Sequence, residues 1–464
     1  MKKSVLILLM IIVTLSSLFA FSACDKDKGT ANGKTVTDLL GREVTVPEKI
    51  NRVVCIGAGS LRLYTYVGDL SKLVGVEDVD KDGTGVGATL SIRPYKMVNK
   101  DRFNSLPSCG KGGPQGSPEA EKILALNPDI VFSLYTSDKA AMDDLQQKIG
   151  KPVVVLSYGK TEAFDANVKK SIALLGDILN RKERANELLS FISDTETYLS
   201  SIGEGIDKSK KATVYLGCQS NYGTHGIESS SANYSIFDVS KIRNVLDENG
   251  YKGYQKSLDL EKLVKMNPQR IILDAGGLYI LKTQLKEKPE IFNNLSAFQN
   301  GEIYLQMPYN AYYTNLETAY ADAYFDAWVQ YHDIAPEKLN FDYVEKAREI
   351  YTLFLGKDCY DDVAQEMYGG FQTKLDISKI QNLDISKICY IFALSRKKQR
   401  ILRCFFLFVL FYINFSFMYF DIFLNALFII SSSFASTVSL IFSSVPLSRI
   451  RILPSGSSPF IAET

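Results

Sequence analysis

At 464 residues the chain is long enough for two domains and further segments. Its 53 Lys and Arg balance 52 Asp and Glu, leaving a formal charge of +1, so no global field draws it to nucleic acid or to an anionic membrane surface, and no nucleic-acid partner is expected. Tyrosine and phenylalanine are plentiful, 26 of each against one Trp.

The first residues read as an export signal. Lys2 and Lys3 precede an apolar run from Val5 to Val13, and Ser22-Ala23 stands directly before Cys24, the pattern in which a cysteine is acylated and becomes the first mature residue. Residues 1–23 are therefore the predicted lipoprotein signal peptide and Cys24 the lipidation site. An ordinary signal peptide cut nearby, with Cys24 incidental, is the alternative. Residues 24–34 are polar, lack apolar periodicity and suit a flexible tether. Cys55, Cys109, Cys218 and Cys359 are scattered singly, without CxxC or zinc spacing, and outline no disulfide framework.

Residues 35–160 alternate short apolar runs with helical periodicity. Val53-Val54-Cys55-Ile56 reads as a buried strand, residues 61–68 as a helix, and residues 73–76 and 151–156 as further strands, the grammar of a mostly parallel sheet covered on both faces. Between them, Glu121-Lys122-Ile123-Leu124-Ala125-Leu126-Asn127-Pro128 leads into the apolar run Ile130-Val131-Phe132. The pattern returns as Glu261-Lys262-Leu263-Val264-Lys265-Met266-Asn267-Pro268 before Ile271-Ile272-Leu273. In each copy the proline stops a short amphipathic helix at the same place. A single repeat at this distance means two similar lobes rather than a solenoid. Residues 161–206 break the alternation: Val168, Ile172, Leu175, Ile178, Leu188 and Ile192 recur at helical spacing and predict a long helix connecting the lobes, with bends expected at Gly176 and in the Asn180-Arg181-Lys182 region. The second lobe occupies residues 207–375. The fold class expected is α/β, with two doubly wound lobes, each around a mostly parallel sheet, joined by one long connecting helix.

Residues 376–464 differ. Leu375-Asp376-Ile377-Ser378-Lys379-Ile380 is repeated at once as Leu383-Asp384-Ile385-Ser386-Lys387-Ile388, and a basic cluster then precedes an apolar run from Cys404 to Phe420. A C-terminal membrane anchor is one reading. The basic cluster of an exported protein would then lie outside, against the positive-inside tendency, and the composition decays without a packing pattern. A frame disruption or read-through is the preferred reading of this tail.

Several segments carry a resemblance. They are Thr37-Asp38-Leu39-Leu40-Gly41-Arg42-Glu43-Val44-Thr45-Val46-Pro47, the stretch from Arg52-Val53-Val54 to Gly75-Val76, Arg93-Pro94-Tyr95, Gly112-Gly113-Pro114, and Pro308-Tyr309-Asn310 with the helix from Asn315 to Trp328. In this order they resemble the substrate-binding lipoproteins of ABC importers for iron complexes and cobalamin, the helical-backbone class of periplasmic binding protein. The resemblance implies a ligand cleft between two lobes and a small closing motion. It implies a monomer held to the outer face of the membrane by its lipid, and a partner consisting of an ABC permease dimer with its cytoplasmic ATPase.

In open α/β sheets ligands bind beyond the carboxyl ends of the strands. The loops there offer Arg62, Arg93, Tyr95, Tyr135, Tyr222, His225, Tyr309, Tyr312 and Tyr313. Arginine presents a rigid fork to carboxylate, catecholate or hydroxamate oxygens and tyrosine adds flat area with a polar tip, a wall suited to a bulky, partly anionic metal chelate such as a siderophore complex, a haem or a corrinoid. Each tyrosine taken alone is equally well read as half-buried packing. The two histidines, His225 and His332, form no cluster, so neither a bare-metal site nor a cofactor is expected. No Walker A sequence, nucleophile elbow or triad is visible, which predicts a receptor rather than an enzyme. The alternatives are a membrane-anchored chelate sensor and a metallocluster-processing protein on a related fold. In the resembling family, acidic residues placed like Glu121 and Glu261 sit on the lobe tips and pair with arginines of the two permease subunits. Favourable placement in a helix's first turn is the simpler reading of either one.

Overall fold

The chain opens with a hairpin built on alternation. In β1 (Gly33–Thr37) and β2 (Glu43–Pro47), Val36, Val44 and Val46 point inward between exposed neighbours, and the strands pair antiparallel. Asp38 makes the turn, accepting the amides of Leu40 and Arg42 at 3.0 and 2.9 Å, and Gly41 supplies the left-handed residue at φ 73°. The computed structural model describes residues 33–81, 92–113, 116–135, 138–159, 163–221 and 223–381. The signal peptide, Cys24, Tyr222 and the apolar run of the tail lie outside the described residues. β1 begins at Gly33, so the last two residues of the expected tether belong to a strand instead; pairing with Pro47 and Val46 holds them there.

Four-residue apolar runs become central strands. β3 (Val53–Ile56), β4 (Leu73–Gly75), β5 (Ile130–Ser133) and β6 (Val153–Val155) form a parallel sheet in the order β4-β3-β5-β6. β3, β5 and β6 are buried at every position, as strands covered on both faces must be. The second lobe repeats the plan with β7 (Val214–Gly217), β10 (Arg270–Asp274) and β11 (Ile303–Gln306), parallel in the order β11-β10-β7, while the short pair β8 (Ser230–Ser231) and β9 (Tyr254–Gln255) lies to one side.

The sequence repeat is a structural repeat. Its helices, Ala120–Ala125 and Leu260–Met266, each run into an interior strand of their sheet, β5 and β10. The residues before the prolines resolve the conflict with the helix in the same way: Asn127 and Asn267 are left-handed, at φ 42° and 43°. A β-branched residue tolerates that conformation poorly. Asn127→Val is expected to cost about 1–2 kcal/mol in urea denaturation, whereas Asn127→Gly stays near the parent stability.

The long connecting helix spans Lys182–Gly203, 22 residues and hence ~33 Å. The residues before it fold as a separate helix, Ala166–Ile178, because Asn180 turns left-handed at φ 55°. Arg184 on the connecting helix donates to Tyr66 O at 3.0 Å in the first lobe and to Leu353 O in the second. The helix Leu316–Tyr331 is buried on nearly every side, and one continuous apolar core runs from Val36 through Leu188 to Phe354. Cys55, Cys109, Cys218 and Cys359 are buried free thiols.

Candidate functional site

The turn after β3 requires glycine. Gly57 and Gly59 have φ of 81° and 87°, and a Cβ on either would lie 2.9 Å from Tyr135 N or the Tyr158 ring. These glycines let the helix Ser60–Val67 start directly above the strand, and Arg62 in its first turn aims away from solvent. Arg62 is 0% exposed. Its Nη1 donates to Tyr312 O at 3.0 Å and Thr314 O at 3.1 Å, with Tyr158 Oη at 3.4 Å, and its Nη2 donates to Ala311 O at 2.6 Å. A first-lobe cation thus holds the backbone of a second-lobe loop. Nε of Arg62 is buried without a partner, as are Glu317 Oε1 and Asn315 Oδ1. Burial works against the Arg62 charge, yet Tyr158, Tyr95, Tyr66 and Glu317 outweigh it and the guanidinium titrates above its usual range.

The other expected residues gather around this cation. The Tyr95 ring lies under the guanidinium, 4.9 Å from its carbon, and Arg93 stands over Tyr312 at 5.2 Å. Arg93 also donates to Val79 O at 2.8 Å and faces Asp80 at 3.8 Å, while Tyr95 Oη donates to the same carboxylate. Tyr313 stacks on Tyr158, centroids 5.0 Å apart and planes within 9°. Tyr66 Oη donates to Glu317, and Asn315 Nδ2 to Ile92 O at 2.9 Å, adding two more links between lobes. Tyr312 and Tyr313 are consecutive left-handed residues at φ 52° and 69°, a conformation that costs on the order of 1–3 kcal/mol for a non-glycine residue. Tyr309 is buried in the second lobe and accepts from Gln219 Nε2 at 3.3 Å.

Tyr135 and His225 stand outside these contacts. Tyr135 Oη donates to Glu77 Oε1 at 2.9 Å, and the other oxygen of Glu77 accepts Gly57 N at 3.1 Å. His225 is half-buried with Nε2 unpartnered; burial, then Lys256, depress its pKa. His332 stacks on Trp328 at 4.4 Å and has a structural place at the helix end. Among the described residues no three His, Cys, Asp or Glu are grouped to hold a metal ion. Tyr158 escaped the sequence reading although it lies just past β6, where the strand-end rule points. Glu77, Tyr66 and Glu317 gave no comparable signal, because each acts through a partner distant in sequence.

A buried carboxyl holds the strand-end loops in each lobe. Burial, then Asp80, push Glu77 up to about 7. Burial pushes Asp274 up to about 7 as well, although it accepts Ser220 N at 3.1 Å and Gly276 N at 2.8 Å. Both folded values exceed the unfolded ones, so their contribution is fully present below the unfolded carboxyl range and is lost as pH rises through about 7. Between pH 5 and 8 the melting temperature is expected to fall, each group contributing on the order of 3 kcal/mol. The double variant Glu77→Gln/Asp274→Asn should flatten this slope in a pH series of thermal melts.

The repeat glutamates occupy equivalent places. Glu121 and Glu261 are exposed in the first turns of their helices, the second of which is capped by Asp259 accepting Glu261 N at 2.9 Å.

Residues 53–308 match the family model described as periplasmic binding protein. The chain belongs to that family. As a periplasmic binding protein it is the substrate-binding protein of an ABC transporter, acts outside the cytoplasm and is not an enzyme. It is 22% identical over 362 residues to the molybdate-binding protein MolA of Haemophilus influenzae, covering 73% of this chain and 95% of MolA. It is 19% identical over 270 residues to YvrC of Bacillus subtilis, an uncharacterized ABC transporter substrate-binding lipoprotein, covering 58% of this chain and 77% of YvrC. The fold matches the periplasmic solute binding protein of Veillonella parvula with a TM-score of 0.54 at 19% identity, over 72% of this chain and 96% of that one. Molybdate-bound MolA matches with a TM-score of 0.53 at 18% identity, over 70% and 98%. No helix among the described residues is long and apolar enough to cross a membrane.

Proposed function

We propose that the protein captures a bulky, partly anionic metal chelate between its lobes, of siderophore type, a haem or a corrinoid, and hands it to an ABC permease dimer driven by a cytoplasmic ATPase. The supporting observation is the cluster that Arg62, Arg93, Tyr95, Tyr158, Tyr312 and Tyr313 form from both lobes: a charged fork walled by rings. Such a wall binds delocalised anionic oxygens and flat ligand faces together. Tyr135, Tyr309 and His225 line neighbouring strand-end loops and complete the proposed contact set, with Tyr222 outside the described residues.

A second reading is a bare oxyanion of the molybdate kind. It is favoured by likeness to MolA over nearly the whole of that relative, and by the unpartnered Nε–H of Arg62. Parallel titration of the protein with ferric siderophores, haem, a corrinoid and molybdate separates the readings. Failure of all four classes to bind removes both. Cys24 as lipid anchor, the monomeric state, and Glu121 with Glu261 as the permease contacts belong to the same proposal.

A further inference from the structure

We propose that Asp274, Asp322 and Asp326 form a buried proton store beneath the strand-end loops of the second lobe. Capture of an anionic ligand above those loops draws protons from solvent into the store, so affinity falls as pH rises. The second half of the inference rests on the proposed capture of an anionic ligand; the first half stands without it.

The three carboxyls converge under the loops that carry the second-lobe contacts. Asp274 ends β10, and Asp322 and Asp326 lie one turn apart on the helix Leu316–Tyr331; all three are 0% exposed. Two of them hold all three loops. Asp274 accepts Ser220 N at 3.1 Å after β7 and Gly276 N at 2.8 Å after β10, and Asp322 Oδ1 accepts Met307 N at 3.2 Å just past β11. The third carboxyl is met by Gln306, which stands opposite Asp274 in the sheet register. With its amide nitrogen toward the helix, Gln306 donates to Asp326 Oδ1 at 3.1 Å and Oδ2 at 3.2 Å, and its oxygen faces Tyr234 Oη at 3.5 Å. The Tyr234 ring lies 6.2 Å from that of Tyr309. A polar path thus runs from the carboxyls to a residue of the proposed contact set.

Titratable groups face the three from Tyr234 before the helix Ser235–Val239, from Tyr351 on the helix Tyr343–Leu355 and from Cys218 after β7, and none of these is basic. Glu196 of the connecting helix bonds Tyr320 instead, at 2.9 Å. Among the described residues no Lys, Arg or His acts on any of the three. The first lobe is built otherwise, its buried Asp80 facing Arg93 at 3.8 Å. Buried carboxylates without a cation are poorly solvated and repel one another, so the cluster keeps protons that exposed carboxyls would lose. Asp322 Oδ2 is buried and finds no donor among the described groups. As a carboxylate oxygen it would be an uncompensated charge; as a hydroxyl it is neutral. Burial raises all three pKa values, that of Asp274 to about 7, and at Asp322 the charges of Asp326 and Asp274 add to it. The first charge therefore enters the cluster near pH 7. An anion bound above opposes that charge and favours the protonated cluster; by reciprocity, raising the pH weakens the anion's binding.

Infrared spectroscopy and calorimetry on the full chain test the two halves. Without added ligand at about pH 6, the parent should show a protonated-carboxyl stretch that weakens in Asp322→Asn, an exchange that keeps an acceptor for Met307 N. A band unchanged by that substitution, by Asp274→Asn and by Asp326→Asn means that none of the three holds a proton, and overturns the store. In the second arm, molybdate and an anionic ferric citrate-hydroxamate chelate are titrated at about pH 6 and about pH 8.5. Affinity for a probe that binds should fall about ten-fold or more across this range, and less than about two-fold in the triple variant Asp274→Asn/Asp322→Asn/Asp326→Asn. Should the triple variant not fold, Asp322→Asn alone should at least halve the parent's fold-change. Affinity independent of pH in the parent, or an equal fall in the folded variants, overturns the coupling. If neither probe binds, the capture reading and the coupling fail together, and the infrared arm still decides the store.

Discussion

Replacing Glu121 and Glu261 together by alanine is expected to abolish uptake in cells while leaving ligand affinity in vitro within about two-fold. Both side chains are exposed, and both sit in the first turn of helices that occupy equivalent places beside β5 and β10. A pair related by the internal repeat suits a partner with two-fold symmetry, since each lobe then meets one subunit through the same kind of contact. Neither carboxylate takes part in the Arg62 cluster, so binding has no reason to change. A purely local role for the two charges would cost only about 0.3–1 kcal/mol each through the helix dipole, visible as a slightly lower melting point with normal uptake. Each single replacement should retain partial transport, because one lobe still docks. Undiminished uptake by the double variant removes these glutamates from the permease contact.

Arg62→Ala is expected to be the most damaging single change in the molecule. The side chain is fully buried and bridges the lobes through the carbonyls of Ala311, Tyr312 and Thr314. Its removal strands those acceptors and takes away the positive charge facing buried Glu317, whose own carboxyl is raised by burial and only partly relieved by Tyr66 and Arg62. Breaking a buried charged network in this way costs about 3–5 kcal/mol. The same substitution should weaken binding of the native anion about a hundred-fold or more. Adding Glu317→Gln is expected to recover part of the stability, since it removes the charge left behind, and to recover none of the affinity. Denaturant melts and calorimetry on the two variants separate these effects.

The architecture was legible because it depends on local pattern. Short apolar runs became strands buried on both faces, and the duplicated Asn-Pro segment led into an interior strand of each sheet. The strand-end rule also led to the loops that carry Arg62, Arg93, Tyr95, Tyr312 and Tyr313. Hidden from the sequence was the direction in which those side chains face. Arg62 reads as a fork turned to a ligand in the cleft, and only the placement of residues 311–314 above it makes it a buried clasp. Glu77 meets Gly57 and Tyr135 across three loops, a convergence with no linear signature. At Asn180, where a bend was expected, the helix breaks altogether: apolar spacing continues through Leu175, Ile178 and Leu188, and a left-handed asparagine interrupts the helix without interrupting that rhythm.

Calorimetric titration of the parent protein and of Arg62→Ala, side by side, with ferric siderophores, haem, a corrinoid and molybdate bears most directly on ligand capture between the lobes. The expected result is one-to-one binding of one class at about micromolar affinity or tighter, weakened about a hundred-fold or more in the variant. Binding that the substitution leaves unchanged, or no binding across the four classes, contradicts it.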